Sequence, residues 1–301
     1  MDDAELLVAL EPNVGELLER HLATAREWFP HELVPWSRGR DFAAGEAWDP
    51  SEAGLPPAVR SALLVNILTE DNLPHYFRAI SVRFGQEDAW GEWSRRWTAE
   101  EGRHSIVIRD YLSVTRAIDL RALERARMQQ VTNGVVPNPP SIADGLVYVA
   151  LQELATRIAH RNTGKLLDDT VGAEIMSRVA GDENLHHLFY RDLTSAALEL
   201  DASTVVAAID RQVRHFTMPG VGIPEFTTHA RRIADAGVYD FVTHHDQILV
   251  PVVLRHWRIE QLQNLKAAAE QARDRLVHHV ERVNQAARRL VARRGPRPAT
   301  A

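Results

Sequence analysis

Glutamate and histidine recur in this chain at a spacing suited to holding metal. Glu101 and His104 lie in Ala99-Glu100-Glu101-Gly102-Arg103-His104, and Glu183 and His186 lie in Asp182-Glu183-Asn184-Leu185-His186. Each pair is Glu-x-x-His, which on a helix puts both side chains on one face, one turn apart. Each copy is preceded at a matching distance by a lone glutamate. Glu70 comes 31 residues before Glu101, and Glu153 comes 30 before Glu183. Two glutamates plus two Glu-x-x-His pairs on four helices form the ligand set of a carboxylate-bridged di-iron centre in a helical bundle. Four carboxylates offset most of the charge of two iron ions, and carboxylate with imidazole suits iron or manganese. The chain has no cysteine, so thiolate-bound zinc and iron–sulfur clusters are excluded. Iron is the expected metal, with a manganese–iron pair left open.

The lone glutamates sit in apolar surroundings. Glu70 follows Leu63-Leu64-Val65-Asn66-Ile67-Leu68, and Glu153 follows Leu146-Val147-Tyr148-Val149-Ala150-Leu151. An unpaired carboxylate buried there would be costly. A metal removes that cost, and a buried salt bridge is the other way to meet it.

The elements that must carry these residues read as helices. Apolar positions recur every three or four residues nearly throughout, and no strand pattern survives inspection. Helices are expected over 12–29, 57–84, 87–116, 118–132, 143–166, 170–199, 202–217, 223–236, 240–255 and 256–294. Gly85, Asn133-Gly134, Pro137–Pro140 and Gly164 mark breaks, and a tryptophan-rich stretch of turns runs from Pro30 to about Pro57. Pro74 falls inside the expected 57–84 helix and should kink it. That kink could serve the metal site or have no role. The fold expected is all-α, one domain over 1–294, with a disordered tail at 295–301.

Bulk properties narrow the function. With 301 residues and 45% hydrophobic content, the chain can bury a large core. Its net charge of −6 argues against general nucleic-acid binding. No stretch approaches the roughly 18 apolar residues of a membrane span. The acidic start, Met1-Asp2-Asp3-Ala4-Glu5, is unlike a signal peptide, so a cytoplasmic location is expected. Between Arg255 and Arg297 stand ten arginines and one lysine against four acids. This is either a solvated terminal helix or a surface for an acidic partner.

From roughly Glu11 to Trp257 the sequence resembles the soluble acyl-[acyl-carrier-protein] desaturases of plant plastids and actinobacteria, the mycobacterial type above all. The resemblance is carried by Thr69-Glu70-Asp71-Asn72-Leu73-Pro74, Arg96-Trp97-Thr98-Ala99-Glu100-Glu101, Gln152-Glu153-Leu154-Ala155-Thr156-Arg157, His160-Arg161-Asn162-Thr163-Gly164-Lys165 and Asp182-Glu183-Asn184-Leu185-His186. It implies a ferritin-like bundle with a central four-helix di-iron core and additional helices. It also implies an oxygen-dependent enzyme that places a cis double bond in an acyl chain borne by acyl carrier protein, with a ferredoxin-like electron donor and a homodimeric assembly. By resemblance Glu70 and His104 serve one iron, Glu153 and His186 the other, and Glu101 and Glu183 bridge. Thr156 matches a threonine beside the oxygen pocket, the plain alternative being a hydroxyl bonded to a backbone carbonyl. Asp182 is expected to fix the far nitrogen of His104, as a ligand imidazole requires. Trp28 matches a tryptophan on an electron route to that pair, the alternative being an ordinary core residue.

The chain departs from the family at Gly102 and Ser105, and at Asn184 and Leu185, where plant members carry basic residues. Arg26 is a candidate contact for the carrier. His187 should point about 100° away from His186 and so not reach the metals. Three other readings are weighed. An iron-storage protein needs only a short four-helix subunit. A ribonucleotide-reductase-like radical protein wants a tyrosine where Ile108 stands. A carrier-binding paralogue without turnover would have little reason to keep all six ligands.

Overall fold

The computed structural model of the protein describes residues 1–220 and 222–294, and no strand occurs among them. The expected tail, 295–301, lies outside the described residues. Eleven helices follow in chain order: α1 (Asp3–Thr24), α2 (Pro30–Leu33), α3 (Pro57–Glu70), α4 (Leu73–Phe84), α5 (Asp88–Val114), α6 (Leu120–Asn133), α7 (Ile142–Lys165), α8 (Thr170–Arg214), α9 (Phe226–Asp235), α10 (Phe241–His244) and α11 (Ala267–Arg294). A π-helical segment, His245–His256, continues α10.

Several boundaries correct the sequence expectations. The first helix begins at Asp3 rather than at 12, because Asp2 and Glu5 form a reciprocal capping box, and Pro12 rides inside it. It ends at Thr24, so Trp28 lies beyond it, outside any helix. The expected 57–84 helix is two helices. α3 stops at Glu70, and Pro74 sits in the first turn of α4, where a missing N–H costs nothing. Pro74 therefore starts a helix and does not kink one. Asp71 in the joint is clamped by Arg127 at 2.5 and 2.9 Å. The final helix begins at Ala267, not 256. Arg258 (φ 48°) and Asn264 (φ 58°) take left-handed backbone, which ends any continuous helix between them. In α8 the helix breaks at Asp201 (φ −149°, ψ 77°), whose carboxylate caps the following turn through Thr204. The two halves match the expected 170–199 and 202–217.

Two apolar clusters make the interior. One joins the leucines of α1 to Trp90, Trp93 and Trp97, much of α7, the C-terminal half of α8 and α11. The other joins α3 to the C-terminal half of α5 and the start of α8. Between them run Glu70, Glu101, Glu153 and Glu183, with their histidines. The buried charge is thus gathered at one seam rather than scattered through the core. No helix is long and apolar enough to cross a membrane among the described residues.

Candidate metal centre

Four helices bring the six predicted residues to one point. Glu70 is the last residue of α3. Glu101 and His104 share a face of α5, Glu153 lies mid-α7, and Glu183 and His186 share a face of α8. None of the six is more than 7% exposed. Ligand-capable atoms of Glu70, Glu101, His104 and Glu183 lie within 4.8 Å of one another, and so do those of Glu101, Glu153, Glu183 and His186. Glu101 and Glu183 belong to both sets, which is the geometry of two adjacent sites with two shared carboxylates.

The spacings fit ligands around a centre better than a salt-bridge network. His104 Nδ1 is 3.6 Å from Glu70, from Glu101 and from Glu183 alike. His186 Nδ1 is 2.9 Å from Glu101 and 3.7 Å from Glu153. His104 Nδ1 and Glu153 Oε2 are buried without a hydrogen bond, and His186 Nδ1 and Glu101 Oε1, though 2.9 Å apart, are not aligned for one. Atoms about 2.1 Å from one cation stand roughly 3–3.5 Å apart. Polar atoms that converge unbonded in a dry interior are what a metal pair would satisfy.

Electrostatics agree. Burial and repulsion from Glu101, Glu153 and Glu70 push the Glu183 carboxyl well above its ordinary value. Burial works against the imidazolium of His104, yet Glu101 and Asp182 lift it well above the usual histidine range. Four carboxylates exceed two imidazoles in this volume, and a cation pair relieves the excess negative charge.

The far nitrogens of both histidines are fixed in a crossed pattern. Asp182, one residue before Glu183, faces His104 Nε2 at 3.3 Å. Glu100, one residue before Glu101, accepts from His186 Nε2 at 2.9 Å. Each motif's acid thus orients the other motif's histidine, leaving both Nδ1 atoms toward the cluster. Trp28 Nε1 donates to Asp182 at 3.0 Å, and its ring lies parallel to His104 with centroids 6.4 Å apart. Arg103 also reaches Asp182, at 2.9 Å. Thr156 Oγ1 donates to Glu183 at 2.7 Å and lies 3.0 Å from the Glu153 carbonyl, the backbone contact expected of a plain buried hydroxyl. His187 is elsewhere, its Nδ1 bonded to the Ala150 carbonyl at 2.7 Å.

Five contributors lie outside the expected set: Glu100, His21, Arg96, Trp97 and His160. Glu100 also accepts from His21 Nε2 at 2.9 Å and from Arg96 Nε at 2.7 Å. Trp97 Nε1 donates to Glu153 at 3.1 Å, and His160 Nε2 to Glu70 at 3.0 Å. Glu100 was legible, because acid-Glu-x-x-His is the full repeat. His21, 79 residues from Glu100, leaves no such signal.

Two cavities flank the cluster along α7. One is lined by Tyr76, Ile80, Trp97, Tyr148, Val149 and Gln152. The other is lined by Asn66, Glu70, Thr156, His160, Met218 and Phe226 among others. From Tyr148 to His160 the helix rises about 18 Å, with Glu153 between the two cavities. A flexible apolar chain laid along α7 would pass directly beside the cluster.

Comparison with known proteins points the same way. A family profile described as fatty acid desaturase matches residues 2–300. The chain is 42% identical over 286 residues to the candidate acyl-[acyl-carrier-protein] desaturase DesA1 of Mycobacterium tuberculosis, covering 92% of this chain and 84% of that one. It is 31% identical over 301 residues to the chloroplastic acyl-[acyl-carrier-protein] desaturase 6 of Oryza sativa, covering 90% and 70%. Its fold is similar to the X-ray structure of the candidate acyl-carrier-protein desaturase DesA2 of M. tuberculosis, with a TM-score of 0.73 at 29% identity, over 89% of this chain and 99% of that chain.

Proposed function

The chain belongs to the fatty acid desaturase family, and on that premise we propose that it is an oxygen-dependent di-iron desaturase of acyl chains tethered to acyl carrier protein. The observation that carries this reading is the paired cluster with two shared carboxylates, set between two cavities on one line along α7. A storage site for iron has no use for an apolar passage on both sides.

In this reading Glu70 and His104 would hold one iron and Glu153 and His186 the other, with Glu101 and Glu183 shared between the two groups. Once bound, the iron pair would supply the oxygen activation needed to take two hydrogens from neighbouring methylenes, with oxygen leaving as water. The rest is done by the chain's own residues. Asp182 and Glu100 hold the two imidazoles in the tautomer that presents Nδ1 inward. Thr156 holds Glu183 through its hydroxyl, on the side where the cavity lined by Asn66 meets the cluster. The apolar walls exclude water and extend a floppy chain, so that one C–C bond stands at the metals.

Electrons arrive from a ferredoxin-like donor in this proposal. Trp28, Asp182 and His104 form a continuous contact path toward the cluster, Trp28 being 5% exposed. We place the enzyme in the cytoplasm, as a homodimer of single-domain subunits. The test is mass spectrometry of acyl-carrier-protein substrates of several chain lengths after incubation with protein, reductant and oxygen. Loss of two mass units from the acyl group is expected, and no loss at any length would refute the proposal.

A further inference from the structure

Asn66 lies on α3, one turn before Glu70 and about 6 Å from it along the helix. It is 8% exposed, and its Nδ2 is buried without a hydrogen-bond partner. Its side chain lines the cavity that touches Glu70, Thr156 and His160. The neighbouring donors are occupied, Thr156 Oγ1 by Glu183 and His160 Nε2 by Glu70. An unpaired amide donor in such a place is costly unless a ligand supplies the acceptor. The terminal torsion of an asparagine is soft, so the amide can turn to meet one.

The fold says which end of an acyl chain would lie there. Opposite the cluster, the second cavity ends at Arg83, which donates to the Ser141 carbonyl at 3.0 Å and to Asn138 at 2.8 Å. Its Cδ would stand 2.7 Å from a Cβ built on Gly145, so the pinned side chain packs on the helix backbone and stands between that cavity and a surface groove that shares Ala79, Val136 and Pro137. The Asn66 cavity instead lies beneath α9, a helix with no buried residue. A chain tethered to another protein must keep its carbonyl at the end nearer the surface.

We propose that Asn66 is a positioning residue whose Nδ2 donates to the carbonyl oxygen of the acyl thioester, setting which C–C bond stands beside the metals. This rests on the desaturase reading. The only chemistry required is one hydrogen bond from an amide to a carbonyl.

The test compares two ligands on metal-loaded, oxygen-free protein: carrier protein bearing a saturated acyl thioester, and the same carrier bearing the S-alkyl thioether, which lacks the carbonyl. Wild type should bind the thioester about five-fold more tightly, the value of one net hydrogen bond. In Asn66→Leu and in the smaller Asn66→Ala the ratio should fall to about one with thioether binding unchanged. On adding oxygen and reductant, their products should show the double bond spread over adjacent positions, a result that a merely structural role would not give. Tyr190→Phe removes an unpaired buried hydroxyl that lines neither cavity and should leave both the ratio and the register intact. The proposal is overturned if the ratio survives in both Asn66 variants, if Tyr190→Phe alone abolishes it, if wild type shows no preference, or if the variants lose both ligands equally. Binding of neither carrier form by wild type would sink the desaturase reading itself, which is a separate result.

Discussion

Glu101 and Glu183 are the two residues on which both halves of the centre depend, since each belongs to both groups of converging ligand atoms. Replacing either with alanine should take metal content from about two ions per chain to well under one, measured by elemental analysis of protein made in iron-rich medium. Glu70→Ala or Glu153→Ala should be milder, because each touches one group only. If Glu101→Ala kept full metal, the bridging assignment would be wrong. His187 allows a second prediction at this scale. Burial, reinforced by Arg191 and Arg157, lowers its pKa to about 4 despite the bond to the Ala150 carbonyl. A depressed pKa means that the neutral form is the one the fold accepts. The contribution is whole above about pH 6.5 and is lost as pH falls toward 4, by roughly 3 kcal/mol in all. His187→Gln should flatten the fall in stability between pH 6.5 and 4, followed by urea unfolding at several pH values. An unchanged slope would mean that other groups govern acid sensitivity.

The helices hold the centre by packing closely at small residues. Gly172, in the first turn of α8, faces the buried ring of Tyr111 on α5. A Cβ there would stand 2.5 Å from Tyr111 Oη and 2.7 Å from its Cζ. The ring is rigid, and its hydroxyl donates to Asp169, the residue that caps α8. Gly172→Ala should therefore cost about 1–3 kcal/mol through overpacking, seen as a lower urea midpoint with metal content retained. Were the midpoint unchanged, α5 and α8 would have to move apart freely, contrary to the packing described. The short joint at Asp71 and Asn72 belongs to this scale too. It lets α3 end at Glu70, so that this carboxylate leaves the helix where the chain turns.

At the scale of the whole molecule, charge is the observation with consequences. The chain is acidic, yet its last helix is rich in arginine. Some of these arginines are engaged, as Arg275 is with Asp210 at 2.9 Å, while others face solvent. An acidic carrier attracted to that face should bind less tightly as salt rises, because exposed charges are screened over about 10 Å at 0.1 M. Comparing free acid, coenzyme A thioester and carrier thioester at two ionic strengths tests this. Turnover should favour the carrier form, and the preference should shrink by several hundred millimolar salt. Equal rates on all three would discard the carrier, and a salt-insensitive preference would discard the arginine surface. We also expect a dimer by light scattering at micromolar concentration, and a monomer there would reject that assembly.

What the amino-acid order determined alone was the part that repeats locally. A helix turns every 3.6 residues, so Glu-x-x-His announces two ligands on one face wherever the helix goes, and the doubled motif with its matched glutamates named all six residues that the fold brings together. The same periodicity announced the all-α architecture and most helix boundaries. It misplaced those set by other means: the start of α1 at a capping box, the α3–α4 joint clamped by Arg127, and the break before α11 where Arg258 and Asn264 turn left-handed. Only the tertiary structure decided what lies across the helices. The crossing of Asp182 to His104 and Glu100 to His186, the supports from His21, Trp97 and His160, and the two cavities along α7 all join residues far apart in the chain. Spacing encodes neighbours along a helix, whereas a hydrogen bond between helices depends on how their faces pack. The amide of Asn66 is the clearest case, an ordinary polar residue in an apolar run until the packed helices bury its Nδ2 beside a cavity without a hydrogen-bond partner.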